Sequence, residues 1–248
     1  MEQQQLKVTL LQMDTAWNNP IQNIRTAETF LEQSPGSDLY VLPEMWTTGF
    51  NSSPNIMDDP GISWMTKTAQ QLHTAIVGSL AVNEKGKWRN RLLFALPNSA
   101  PAIYDKHHLF AYGGEKEHFT PGDRRTIVKW KGVRFLPLIC YDLRFPIWSR
   151  YRGDYDILVY VANWPVTRIE AWTTLLRARA IENQCYVIGV NRTGQDLSCS
   201  YEGASAVVDP YGKTTTFPSP SPGWLTVTLD LKKQNSFRKK FPILDDRD

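Results

Sequence analysis

The chain has 248 residues, with 28 Lys and Arg against 25 Asp and Glu, and its basic side chains cluster only at Arg238-Lys239-Lys240. That balance argues against nucleic acid as a main partner. The three cysteines (Cys140, Cys185, Cys199) form no CxxC pair and leave one over if two are bridged, which fits a reducing compartment. An amino terminus without a basic n-region, and no apolar run of membrane-spanning length, predict a soluble cytoplasmic protein.

In chain order, Leu6 to Met13 reads as a first strand, and Asn18 or Asn19 caps a helix with Pro20 in its first turn and Ile21, Ile24, Ala27, Phe30 and Leu31 at helical spacing. Asp38 to Leu42 is a short apolar strand ending in Pro43-Glu44. A helix (Ile62 to Leu72) and a strand (Ala75 to Val82) repeat the pattern. The turn Glu84 to Lys87 then leads into a return arm, Trp88 to Leu96, which introduces antiparallel pairing. Ala102 to Asp105 is extended and ends in Lys106. A glycine-containing loop around Gly113-Gly114 and a Pro121-Gly122 turn precede a hairpin, Arg125 to Trp130 with Val133 to Cys140.

The run Phe135 to Ile139 has the character of a strand buried on both faces, and Cys140 stands at its carboxyl end, before a short helix, Phe145 to Tyr151. Tyr155 to Ala162 is a further strand, Arg168 to Asn183 the clearest helix, and strands follow at Tyr186 to Val190, Ala204 to Asp209 and Trp224 to Leu229. About a dozen strands and four or five helices, without linker or repeat, predict one α/β domain over residues 1–231, in which two stacked sheets are covered by helices. The polar tail, 232–248, is expected to be an arm.

Three strand tips therefore carry Glu44, Lys106 and Cys140. If the strands share a direction, a thiol that can attack, a carboxylate that can shuttle its proton and an ammonium that can meet an oxyanion converge on one rim. Each has a plainer explanation: a helix-capping acid, a solvated lysine and a small buried cysteine. The Tyr141 backbone N–H is a further oxyanion donor. Arg144, four residues past Cys140, is the best-placed cation for an anionic group of a ligand, with a salt bridge to Asp142 as its structural alternative. Trp164, Phe50 and Tyr112 are candidate pocket walls that are equally suited to the core. No metal site or cofactor is indicated, because no Cys or His pair has ligand spacing. A Cys-His pair using His107 or His108 is a rival, as is a non-catalytic scaffold.

These motifs resemble the nitrilase or carbon-nitrogen hydrolase superfamily: Pro43-Glu44, Lys106 in YDKHHLF, Cys140 in CYDLRFP, Asn163-Trp164-Pro165 and RARAIENQ occur in that family's order. LPEMWTTGF, CYDLRFP and VANWP resemble its bacterial omega-amidase branch, whose members cleave the terminal amide of 2-oxo acid amides such as 2-oxoglutaramate. The resemblance implies a four-layer α-β-β-α sandwich, a Cys140-Glu44-Lys106 triad and a homodimer with the tail as a candidate contact element. It also implies a second glutamate, for which Glu115 is better spaced than Glu117. A nitrilase proper or an N-carbamoyl amino acid hydrolase shares the same three side chains.

Overall fold

The protein is described by a computed structural model over residues 5–247. Its first half runs β1 (Gln5–Gln12), α1 (Pro20–Gln33), β2 (Leu39–Val41), α2 (Pro60–Leu72), β3 (Ala75–Glu84), β4 (Lys87–Leu96), β5 (Ser99–Asp105) and the single turn α3 (Glu115–His118). Next come β6 (Val128–Trp130), β7 (Val133–Ile139), α4 (Pro146–Ser149), β8 (Ile157–Ala162), α5 (Ile169–Asn183) and β9 (Tyr186–Asn191). The chain closes with β10 (Thr193–Gln195), β11 (Ser200–Glu202), β12 (Ala206–Val208), β13 (Thr214–Thr216), β14 (Gly223–Asp230) and α6 (Leu231–Lys240).

Local chemistry sets the helix starts. The Asn19 side chain accepts from the Gln22 N–H ahead of α1, Asp59 does the same for Gly61 ahead of α2, and both helices carry proline in the first turn. After Cys140 the expected short helix, Phe145 to Tyr151, forms over Pro146–Ser149. A 3-10 turn covers Cys140–Arg144, Phe145 is extended, and α4 begins at Pro146. The proline explains the break between turn and helix, since its ring disfavours helical backbone at the residue before it.

Two six-stranded mixed sheets form, ordered β14-β1-β2-β3-β4-β5 and β13-β12-β9-β8-β7-β6. Their centres are parallel (β1-β2-β3 and β7-β8-β9) and their flanks antiparallel. The inner faces share one core in which Val8, Val77 and Phe94 of the first sheet meet Phe135, Leu138 and Val159 of the second. The Phe94 and Phe135 rings lie 5.3 Å apart. Ala27, Leu31, Met65 and Ala69 bury the outer face of the first sheet beneath α1 and α2. On the second sheet the cover is α5, through Trp172, Leu176 and Ala180. Each such large apolar side chain contributes roughly 1.5–3 kcal/mol on burial. The result is the expected four-layer α-β-β-α sandwich.

The tail after residue 231 continues as a helix. Leu231 is buried, and Gln234 accepts from the Tyr186 N–H and donates to the Asp156 carbonyl. A polar composition hid this packing, because a single buried glutamine anchors the helix through backbone groups.

Candidate active site

β2 ends at Val41, and Leu42-Pro43 carry the chain to Glu44 just before Met45, whose φ is +42°. The opposite sheet has the same construction: β7 ends at Ile139, and Cys140 itself has a φ of +42°. Left-handed backbone is costly for a residue with a Cβ, on the order of 1–3 kcal/mol, and here it falls at Cys140 itself and at the residue that follows Glu44. Asp142 holds the Cys140 turn. Its buried carboxylate accepts from the Ile139 N–H (3.1 Å), the Tyr104 hydroxyl (2.7 Å), and the N–H (3.0 Å) and Nδ1 (2.8 Å) of His108. Those partners leave no salt bridge from Asp142 to Arg144.

Lys106 follows β5 and is fully buried between two carboxylates. Its Nζ lies 2.8 Å from Glu44 Oε1, and 2.9 and 3.2 Å from the two oxygens of Glu115. Asn90 Nδ2 bridges the same pair at 2.8 and 2.9 Å. Glu115 is the first residue of α3 and also accepts from the Phe110 N–H at 2.7 Å, whereas Glu117 is exposed. From the second sheet, the Asn163 N–H reaches Glu44 Oε2 at 2.9 Å and its side-chain amide donates to the Glu44 carbonyl. The Cys140 Sγ lies 3.9 Å from the Asn163 carbonyl.

The electrostatics follow from burial. Desolvation alone would lower the Lys106 pKa, but the charges of Glu115 and Glu44, with Cys140, outweigh it and hold the ammonium above its ordinary range. Burial pushes the Cys140 thiol well up and the Glu44 charge adds to this, against the opposing pull of Lys106. In the resting site Cys140 is therefore a thiol beside a carboxylate and an ammonium. A carboxyl group that can accept a proton, a thiol that can attack and an ammonium stand together near the carboxyl ends of β2 and β7, where ligands bind in open α/β sheets.

Cys140 and Lys106 open onto a cavity of about 850 Å³. Phe50, Tyr141, Arg144 and Trp164 all line it, and Tyr112 stands at its mouth, 89% exposed. Trp164 serves wall and core together, packing on Trp172 at 5.5 Å while Arg144 lies 4.9 Å over its ring. The two histidines point elsewhere: His107 bonds the Gly122 carbonyl and stacks on Trp148, and His108 bonds Asp142 and stacks on Phe145.

The carbon-nitrogen hydrolase family model matches residues 7–239. This chain is a carbon-nitrogen hydrolase. It is 43% identical to the omega-amidase YafV of Escherichia coli K12 over 98% of this chain and 97% of that one. It is 34% identical to the 2-oxoglutaramate amidase of Bacillus subtilis, with 96% of each covered. Among solved structures, XC1258 of Xanthomonas campestris, described as a CN-hydrolase superfamily protein with an arsenic adduct in the active site, superposes with a TM-score of 0.94 at 39% identity, covering 99% and 98% of the two chains. Nit3 of Saccharomyces cerevisiae, a nitrilase superfamily member, gives 0.87 at 26%, covering 97% and 95%. The protein is thus a hydrolase of amide carbon-nitrogen bonds, and no helix among its described residues is long and apolar enough to cross a membrane.

Sequence reasoning passed over Asn90 and Arg168. Asn90 sits inside β4, in Trp88-Arg89-Asn90-Arg91-Leu92, where only an amide at the start of a buried stretch marks it. Arg168 reads as the opening of α5, although it also lines the cavity. Asn163 stood out only as part of a motif, since a backbone N–H that spans two sheets has no sequence signature.

Proposed function

We propose that the enzyme hydrolyses the terminal amide of a small 2-oxo dicarboxylate monoamide, such as 2-oxoglutaramate, to the acid and ammonia through a thioester on Cys140. Glu44 takes the thiol proton as the sulfur attacks the amide carbon, and the carbonyl electrons move onto oxygen. The oxyanion faces Lys106 and the backbone N–H of Tyr141. Collapse breaks the carbon-nitrogen bond while Glu44 returns the proton to nitrogen, releasing ammonia. Water then gives a proton to Glu44 and attacks the thioester; the carbon-sulfur bond breaks, and the proton returns to sulfur. Glu115 acts through Lys106, holding its ammonium in place.

The observation that carries this reading is that Cys140 and Lys106, with Glu44 buried beside both, line a cavity that has no acidic residue in its lining and where Arg144 is free of any carboxylate partner among the described residues. Such a cavity favours an anionic amide over a neutral one. The names of the omega-amidase and 2-oxoglutaramate amidase relatives support the same choice. The test compares ammonia release from 2-oxoglutaramate, a simple aliphatic nitrile and an N-carbamoyl amino acid, in the unmodified enzyme and in Cys140→Ala. The first substrate should be strongly preferred and its turnover lost in the variant. Equal turnover of the nitrile or the carbamoyl compound, or ammonia release that survives loss of the thiol, would sink the proposal.

A further inference from the structure

The charge of the cavity is not balanced by its own walls. Lys106, Arg144 and Arg168 all line it, and no Asp or Glu does. Lys106 is already paired with two carboxylates, Glu44 and Glu115, neither of which lines the cavity. Neither guanidinium has a carboxylate within ion-pair distance among the described residues, and each instead lies on an aromatic face. Arg144 is 4.9 Å from the Trp164 centroid, and Arg168 is 5.5 Å from that of Phe110.

Both rings are tied to the reactive centre. Phe110 donates its N–H to Glu115, and Trp164 follows Asn163, which bonds Glu44. The Trp164 indole N–H also donates to the Arg168 carbonyl at 2.7 Å, which couples the seat of one arginine to the backbone of the other. A guanidinium seated over a ring, with no carboxylate partner, keeps N–H donors free for a planar, two-pronged acceptor. Stacking on a ring does not cancel charge, so two uncompensated cations face one cavity.

We propose that Arg168 is a second specificity-determining residue, and that the substrate's distal carboxylate is shared between Arg144 and Arg168. This rests on the proposed amidase reading and deepens it. A single half-exposed arginine-carboxylate pair discriminates weakly because water competes. Two guanidiniums converging on one carboxylate supply several charge-assisted hydrogen bonds and select against amides without that charge. With the amide carbon at Cys140 Sγ, the carboxylate of an extended five-carbon half-amide lies on the order of 5 Å further along the cavity, at carbon-carbon bond lengths near 1.5 Å.

The experiment measures two quantities in the full-length enzyme and in Arg168→Gln, Arg168→Lys, Arg144→Gln and the double Gln variant. One is the ratio of kcat/KM for 2-oxoglutaramate to that for an uncharged aliphatic amide of similar length. The other is calorimetric binding of 2-oxoglutarate, which needs no turnover. Arg168→Gln should lower the ratio about 10- to 100-fold, mainly through KM, and weaken 2-oxoglutarate by a similar factor. Arg168→Lys should recover part of both. The double variant should lose less than the product of the two single losses, because the arginines share one ligand. If Arg168→Gln lowers both amides equally, or 2-oxoglutarate binding is absent or indifferent to Arg168, the inference fails. Arg168-dependent binding in an enzyme that does not release ammonia from 2-oxoglutaramate would instead overturn the proposed reaction and leave the arginine assignment standing.

Discussion

Replacing Glu115 with glutamine removes one charge and no volume from a fully buried cluster. In the native site the Glu115 carboxylate accepts only from donors: Lys106 Nζ at 2.9 and 3.2 Å, Asn90 Nδ2 at 2.9 Å and the Phe110 N–H at 2.7 Å. Glutamine keeps one oxygen, so in either orientation its NH2 confronts two of those contacts. Breaking a buried ion pair from one side costs about 3–5 kcal/mol. At roughly 2–4 °C per kcal/mol for a protein of this size, Tm should fall by about 6–20 °C. Glu115 is also the largest of the charges holding Lys106 up against desolvation. A lysine raised in the fold contributes stability that is complete below its unfolded pKa of ~10.4 and is lost as pH rises through the folded value. The variant should therefore lose its alkaline stability at lower pH than the parent. With Lys106 drawn to Glu44 alone, a displacement near 1 Å predicts a kcat loss of about 100-fold. Differential scanning calorimetry across pH and steady-state ammonia release measure both effects, with the exposed Glu117→Gln as control, expected to change stability by less than about 0.5 kcal/mol. A Glu115→Gln enzyme with kcat within about twofold and Tm within about 2 °C of the parent would refute the argument.

Cys140 should be alkylated by iodoacetamide with a half-point above the ordinary thiol value of ~8.5. Glu44→Gln removes the charge that adds to burial in raising the thiol, so it should bring that half-point down; a parent half-point at or below ~8.5 would contradict this. Asp142→Asn cannot accept from Ile139, Tyr104 and both His108 donors together. It should destabilise by about 1–3 kcal/mol and lower kcat as the Cys140 turn relaxes, visible in urea melts and initial rates.

The sequence by itself determined the stacked sheets with their covering helices and the three strand-end positions that the proposed chemistry uses. Strand periodicity, proline and asparagine caps and the abrupt polar residue after each buried run are local signals, and Glu44, Lys106 and Cys140 all lie at such boundaries. The resemblance to a known family then implied the roles proposed for them. Tertiary structure decided what those residues touch. Glu115 and Glu117 are two residues apart on one short turn, and only the packing of that turn buries the first against Lys106 and leaves the second in water. Asn90 entered the site because β4 lies beside β5, and Asn163 because the second sheet stacks its strand ends against the first. Arg168 is ordinary as a helix-opening residue; its meaning comes from a cavity whose walls carry no compensating acid. Contacts between residues far apart in the chain are set by sheet order and stacking, and the local spacing of side chains does not encode them.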